Sequence, residues 1–128
     1  MNRPKLLIVD DDPEVGAFVQ KVAESLGYDF SFTDSADAFR MRYRSFRPDV
    51  VILDLAMPDS DGIELLRFLA EEDCRSSVLL MSGLDASMRE AALHLGTARG
   101  LRMEGSIPKP VRASTLRSLL AALDERGT

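Results

Sequence analysis

The chain has 128 residues, a formal net charge of −5 at pH 7, 45% hydrophobic residues and 29% charged residues. These values are typical of one globular domain, and the acidic charge argues against direct binding of nucleic acid or a membrane surface. No apolar segment approaches the roughly 20 residues of a membrane helix and no secretory signal opens the sequence, so we expect a cytoplasmic protein.

Five segments have the pattern of strands, in the chain order 6–9, 30–32, 50–53, 78–81 and about 103–107. The first, third and fourth are continuous apolar runs, which are typical of parallel strands that helices cover on both faces. Phe30 and Phe32 alternate with polar neighbours, as expected of a strand nearer an edge. Pro108 cannot donate to a sheet ladder, so we predict that the last strand lies at an edge.

Between these segments the apolar residues recur with helical spacing, which predicts five amphipathic helices. Their apolar stripes are Val15, Phe18, Val19, Val22, Ala23 and Leu26; Ala36, Phe39, Tyr43 and Phe46; Ile63, Leu66, Leu69 and Ala70; Met88, Ala91, Ala92 and Leu95; and Leu116, Leu119, Leu120 and Leu123. Asp12 before Pro13 favours an N-cap and first helical position, and Gly27 is a stop signal. Two pairs are spaced like capping boxes, Asp61 with Glu64 and Ser87 with Glu90.

Five successive βα units imply right-handed crossovers and a three-layer α/β sandwich. We predict a five-stranded parallel sheet of flavodoxin-like order 2-1-3-4-5, with residues 1–128 forming one domain. The sequence contains no linker, internal repeat or low-complexity segment.

Chemically active residues follow the strands, where sites of open α/β sheets lie. The strand ends carry Asp10 and Asp11, Asp54, Ser82 and Gly83, and Lys109 and Pro110. Strands one and three are neighbours in the predicted order, so their three carboxylates should converge. Two like charges about 4 Å apart repel by roughly 4 kcal/mol at an effective dielectric constant of about 20.

A magnesium ion would relieve this repulsion, because a few carboxylates with several waters suit it better than calcium. Lys109 adds a second cation and Ser82 adds a hydroxyl donor for phosphoryl oxygens. A carboxylate can itself attack phosphorus and form an aspartyl phosphate. Together these residue types predict a phosphoryl-transfer site.

Four blocks of the sequence, LLIVDDDP, DVVILDLAMPDSDG, LLMSG and IPKP, resemble the signature blocks of response regulator receiver domains, in the same order. The resemblance spans nearly the whole chain. It implies that Asp54 is the phosphoacceptor. It also implies that Asp10 and Asp11 help to hold magnesium, with the carbonyl of Ala56 as a further ligand.

The same resemblance implies that Ser82 supplies the family's hydroxyl and that Lys109 contacts the phosphoryl group. It further implies a cis bond between Lys109 and Pro110. The expected partners are a sensor histidine kinase or a histidine phosphotransfer protein, with a downstream effector domain or protein. Formation of a homodimer is left open.

Two features depart from the common form of the family. Its members commonly carry Tyr or Phe three residues before the lysine, where this chain has Ser106, and no aromatic residue follows Phe68. The stretch 82–109 is also longer by about one helical turn. A relay through an aromatic ring therefore cannot operate unchanged, and we expect a smaller response, located in region 88–101.

One alternative is a receiver-like adaptor that binds partners without being phosphorylated. Degraded receivers typically lose an acid or the lysine, and this chain has lost neither, so we favour the phosphorylated form. A phosphatase with an aspartyl nucleophile would need a second Asp two residues after Asp54. Ala56 stands there, so we reject that function.

Several other residues are interpreted as structural. We expect Asp12, Asp59 and Asp61 to be caps or loop acids, Cys74 to be an inert thiol, and His94 to be no phosphodonor. The arginines of the second helix fit either a docking patch or a solvent-exposed face, and we favour the latter: Arg40, Arg42, Arg44 and Arg47. The chain has no glycine-rich nucleotide-binding pattern.

Overall fold

The computed structural model describes residues 3–57, 62–83 and 86–126. Strands and helices alternate as predicted: β1 Lys5–Val9, α1 Pro13–Ser25, β2 Asp29–Thr33, α2 Ala36–Phe46, β3 Val50–Asp54, α3 Gly62–Glu71, β4 Ser77–Ser82, α4 Ala86–Ala98, β5 Arg102–Pro108 and α5 Ala113–Arg126. The parallel sheet has the order β2-β1-β3-β4-β5, which confirms the predicted topology. None of the described helices has the length and hydropathy needed to cross a membrane.

Each face of the sheet has its own buried core, because successive side chains of a strand point to opposite faces. Leu7, Val9, Val51, Leu53 and Leu80 belong to one core, together with buried residues of α2, α3 and α4. The opposite core contains alternate strand residues and buried residues of α1 and α5, and it includes Leu6, Ile8, Ile52, Leu79, Val19 and Leu120. The three central strands are thus apolar on both faces.

The ends of α1 match the predicted capping residues. The Asp12 carboxylate accepts a hydrogen bond from the Glu14 amide, with Pro13 as the first helical residue. Gly27 follows the C-cap with φ of +88°, a left-handed conformation that glycine adopts readily. The predicted capping box at Ser87 is wrong, because α4 begins at Ala86 and Ser87 lies inside its first turn. Asp61 lies outside the described residues.

Helix α4 packs on the core with only part of its predicted stripe, since Ala92 is buried as predicted but Ala91 is exposed. Ala92 and Gly96 are its buried residues, Leu93 packs beside them, and Met88 is 39% exposed. An ideal Cβ on Gly96 would collide with the side chain of Met103, so the absence of a side chain lets the helix approach β5. The prediction was partly wrong because a glycine carries no hydrophobic signal although it marks the contact face. Phe18 of α1 also lies at the rim of its stripe, 36% exposed.

Strand β5 is an edge strand, as Pro108 predicts, and it contains a β-bulge that the sequence analysis did not predict. Val78 pairs with Met103 and Leu79 pairs with Gly105, so Glu104 is the extra residue. Gly105 has φ of +129°, which side chains disfavour. The bulge shifts the register of the strand just before Ser106.

Candidate functional site

Two neighbouring strands bring the acidic residues together at the carboxyl edge of the sheet. Val9 of β1 pairs with Leu53 of β3, so the next residues, Asp10 and Asp54, are adjacent. The amide of Asp10 donates to the carbonyl of Thr33 at 3.1 Å, which ties this position to β2 as well. The predicted convergence is therefore present in the fold.

Both central carboxylates are buried and held by backbone amides. Asp10 is 0% exposed and Asp54 is 1% exposed. The amide of Asp12 donates to Oδ1 of Asp10 at 2.8 Å, and the amide of Ala56 donates to Oδ1 of Asp54 at 2.9 Å. These bonds fix the orientation of each carboxylate and leave its second oxygen facing the site.

Lys109 supplies a cation between these second oxygens. Its Nζ donates to Oδ2 of Asp54 at 3.1 Å and lies 3.2 Å from Oδ2 of Asp10. Burial disfavours the charge of Lys109, but the ion pairs with Asp54 and Asp10 outweigh it, so its pKa is raised. The lysine is therefore charged at neutral pH.

One lysine does not fully compensate the Asp10 carboxylate. Burial, reinforced by the nearby charge of Asp54, raises the pKa of Asp10 although Asp12 and Lys109 act in the opposite direction. Its buried Oδ2 accepts no hydrogen bond, since the contact with Lys109 is an ion pair without hydrogen-bond geometry. The site thus carries more negative charge than its neighbours neutralise.

The residues present fit a hard divalent cation. Asp10, Asp11 and Asp54 each offer an oxygen, and these oxygens lie within 4.8 Å of one another. Asp11 is exposed, so the cluster is open to solvent on one side. An all-oxygen donor set with room for water is the environment that magnesium prefers.

The ends of β4 and β5 complete this edge of the sheet. Asp54 pairs with Met81, so the buried Ser82 is one residue further along the adjacent strand. The amide of Lys109 donates to the carbonyl of Ser82 at 3.1 Å, and the peptide bond between Lys109 and Pro110 is cis, as the resemblance implies. No described atom lies within 4 Å of where a Gly83 side chain would begin, which leaves space beside Ser82.

Not every residue singled out in the sequence joins this site. His94 is exposed on α4 and Cys74 is buried after α3, both away from the strand ends that carry the carboxylates. Asp59 lies outside the described residues, as does Asp61. For Ala56 the described contact is made by its amide, and the role of its carbonyl stays a prediction.

Sequence reasoning missed Thr33, which supports the site from the edge strand. Its hydroxyl donates to the carbonyl of Ile8 at 2.8 Å, and its own carbonyl accepts from Asp10. The signal was available, because Thr33 ends β2 at the same edge of the sheet. Its predicted strand was assigned from two phenylalanines alone, and the polar residue after them was not considered.

Comparison with known proteins agrees with this geometry. The model of the response regulator receiver domain family matches residues 6–121. The transcriptional regulatory protein TrcR of Mycobacterium tuberculosis is 30% identical over 66% of this chain and 33% of its own length. The response regulator MprA of Mycolicibacterium vanbaalenii is 30% identical over 97% of this chain and 52% of its own length.

A solved structure shows the same fold over nearly the whole chain. The receiver domain of a Francisella response regulator superposes with a TM-score of 0.83 and 25% identity, covering 98% of this chain and 99% of its own. The chain spans between 17% and 52% of the length of the curated relatives it matches. The family match, the strand order and the site together show that this chain belongs to the response regulator receiver domain family.

Proposed function

We propose that Asp54 accepts a phosphoryl group from a sensor histidine kinase or a histidine phosphotransfer protein, in a reaction that depends on magnesium. The observation that carries this proposal is the convergence of three carboxylates with Lys109 at the carboxyl edge of the sheet. Receiver domains act as phosphoacceptors in two-component signalling, which fits a site built for phosphoryl oxygens. We also propose that the receiver domain comprises residues 1–128.

In the proposed reaction a carboxylate oxygen of Asp54 attacks the phosphorus of a phosphohistidine. The new O–P bond forms as the P–N bond breaks, and the departing imidazole nitrogen keeps the electron pair and takes up a proton. Asp54 suits this role because it ends the central strand β3 and its carboxylate is oriented by the Ala56 amide. The protein contributes mainly positioning and charge, as phosphoryl transfer requires.

We assign Lys109 and Ser82 to contacts with the oxygens of the incoming phosphoryl group. Nζ of Lys109 already lies 3.1 Å from Asp54, so it can follow negative charge that moves onto the phosphoryl oxygens. Ser82 ends the neighbouring strand, and we assign its hydroxyl as the donor to another phosphoryl oxygen. Neither residue would then act as a nucleophile.

Magnesium, held by Asp10, Asp11, Asp54 and the Ala56 carbonyl, would supply positive charge that lets a phosphoryl group approach the carboxylates. The uncompensated Oδ2 of Asp10 supports this assignment. A bound cation would also reduce the cost of burying this charge in the fold.

The proposed product is a signal and not a released chemical compound, so the chain acts as a signalling phosphoacceptor. Phosphorylation adds about −1.5 to −2 charge at neutral pH, which is enough to change contacts with a partner. We propose that the output reaches an effector, on this chain or another, in the cytoplasm. Several relatives are named as transcriptional regulators, and any link of this chain to transcription follows only from that likeness.

Incubation with acetyl phosphate and magnesium tests the proposal without knowledge of the kinase. Intact mass should show one added phosphoryl group on the wild type and none on Asp54→Asn. Asp49→Asn is the matched control, because Asp49 is the exposed acid before the other end of β3 and should leave labelling unchanged. Labelling of Asp54→Asn at the wild-type level would refute the assignment, and an unlabelled wild type would favour the adaptor alternative.

A further inference from the structure

A cleft of about 810 Å³ lies at the amino edge of the sheet, opposite the carboxylate cluster. The first residues of β1, β3, β4 and β5 line it, and so does the end of α2. Since β3 runs from Val50 in the cleft to Asp54 at the other edge, the two sites are about 13 Å apart along the strand. The volume is in the range of small-molecule sites.

The cleft is basic although the chain as a whole is acidic. Among the described residues that line it, six are cationic and three are acidic: Arg3, Lys5, Arg44, Arg47, Arg75 and Arg102 against Asp49, Glu72 and Asp73. The whole chain carries −5. A concave site that concentrates one sign of charge raises the local concentration of oppositely charged ligands.

Four of these six cations, Lys5 and three arginines, have no acidic partner within the described part of the chain. Arg44 pairs with Glu72 at 2.9 Å and Arg3 pairs with Asp29 at 3.5 Å. For Arg47, Arg75 and Arg102 the described residues provide no ion pair.

Two of the unpaired arginines are held next to each other. Nη1 of Arg102 donates to the carbonyl of Arg75 at 3.5 Å, and Arg102 pairs with Ser77, two residues after Arg75. Both arginines therefore belong to the same part of the cleft lining, and no described carboxylate pairs with either. An anion bound there could interact with both positive charges.

Arg47 adds a backbone observation that points the same way. It ends α2 with φ of 53°, the left-handed conformation for which glycine or asparagine is normally chosen. Its amide donates to the carbonyl of Tyr43, which is a capping role that glycine would fill with less strain. The guanidinium at this position is therefore not explained by the stability of the helix end.

We propose that this cleft binds a small anion that carries more than one phosphate group, such as tripolyphosphate or a nucleoside triphosphate. Guanidinium groups match phosphate oxygens in pairs, and three unpaired ones around one cleft suit several phosphates. Asp49, Glu72 and Asp73 among the lining residues disfavour a long polyanion such as nucleic acid. The site does not depend on the phosphoacceptor function of Asp54.

Calorimetric titration of the full chain with tripolyphosphate and with ATP tests the proposal, in chelator-containing buffer at about 0.15 M salt, where distant surface charges are screened. The double variant Arg75→Ala/Arg102→Ala should bind at least tenfold more weakly than the wild type. Arg99→Ala/Arg117→Ala is the matched control, because it removes the same charge from exposed residues outside the cleft and should bind normally. If ATP binds more tightly than tripolyphosphate, the site is supported and the nucleoside also makes contacts with it. If the two bind equally, the site is supported and only the phosphate groups make contacts.

Arg47→Gly provides a second test that a loss of folding cannot mimic. Glycine relieves the left-handed conformation, so this variant should melt at a higher temperature and yet bind tripolyphosphate more weakly. The proposal is overturned if both double variants weaken binding equally, if Arg47→Gly and Arg75→Ala/Arg102→Ala bind like the wild type, or if the wild type binds neither tripolyphosphate nor ATP.

Discussion

At the carboxyl edge of the sheet, carboxylates are buried beside a single lysine, whereas at the amino edge arginines surround an open cleft in contact with water. Asp10 and Asp54 are fully desolvated, while Arg47, Arg75 and Arg102 are exposed. The two edges belong to the same strands and carry opposite charge. Besides the sign of the charge, the two edges differ in the solvent exposure of their charged side chains.

This difference in burial determines at which edge a charged side chain affects the stability of the domain. A buried charge without a full complement of partners destabilises the fold, while an exposed one is screened by solvent. Substitutions at the carboxyl edge should therefore change both folding and phosphoryl transfer. Substitutions at the amino edge should change ligand binding and leave the fold almost unaffected.

The largest effect on stability is expected from Lys109→Met in chelator-containing buffer. This change keeps the length of the side chain but leaves Asp10 and Asp54 without their cation, so the free energy of unfolding should fall by about 1–3 kcal/mol. Arg102→Met, the same kind of change at the amino edge, should stay within about 0.5 kcal/mol of the wild type. Urea unfolding measures both.

Magnesium should restore part of the stability lost in Lys109→Met, because it would neutralise the same carboxylates. Equal destabilisation by Lys109→Met and Arg102→Met would mean that burial does not separate the two edges.

The next effect is the stabilisation of the wild type by magnesium. An ion that binds only the folded state at ten times its dissociation constant adds about 1.4 kcal/mol to the free energy of unfolding. Asp11→Ala should reduce this gain and leave the metal-free protein nearly unchanged, because Asp11 is exposed. Thermal melting with and without millimolar magnesium is the measurement, and an unchanged wild-type melting temperature would contradict the metal assignment.

Asp10→Asn should raise the free energy of unfolding by about 1 kcal/mol in metal-free buffer at pH 7. The reason is that a neutral amide suits this buried position better than a carboxylate. The raised pKa of Asp10 sets the dependence on pH. The folded state binds the proton more tightly than the unfolded chain, so the wild type gains stability as the pH falls through the raised pKa toward 3.8.

The advantage of Asp10→Asn over the wild type should therefore shrink on acidification, and urea unfolding at several pH values can follow it. A destabilised Asp10→Asn at pH 7 would show that Lys109 already compensates the carboxylate.

The smallest change is expected in the conformational response to phosphorylation. Ser106 stands where the resemblance to receiver domains implies an aromatic ring, and the bulge at Glu104 alters the strand just before it. We therefore expect amide exchange to change mainly in 88–101 when beryllofluoride, a phosphoryl mimic, is added. Large changes confined to β5 and α5, with α4 unaffected, would contradict this expectation.

The fold could be predicted from the sequence because burial leaves a direct mark on the central strands. Residues 50–53 and 78–81 are apolar without interruption, a pattern typical of strands covered on both faces. The buried face of α4 could not be predicted, since Gly96 and Ala92 make the contact while the larger Met88 stays exposed. Small residues at a close approach give no hydrophobic signal.

The candidate site was predicted for a similar reason, because strand ends meet at one edge and the acids follow the strands directly. The ligand cleft was not predicted, because Arg75 and Arg102 come from separate segments and look like ordinary surface residues in sequence. The sequence analysis grouped Arg44 and Arg47 with other arginines of α2, as a docking patch or a solvent-exposed face, and favoured the latter. In the structure they are separated from Arg40, which pairs with Asp37 at 3.0 Å outside the cleft.

Reductive trapping tests the central claim most directly. Borohydride converts an aspartyl phosphate to homoserine, so peptide sequencing by mass spectrometry after acetyl phosphate and magnesium treatment locates the modified residue. We predict homoserine at position 54 and an unmodified aspartate at positions 10 and 11. Homoserine at either of those positions, with Asp54 intact, would contradict the account.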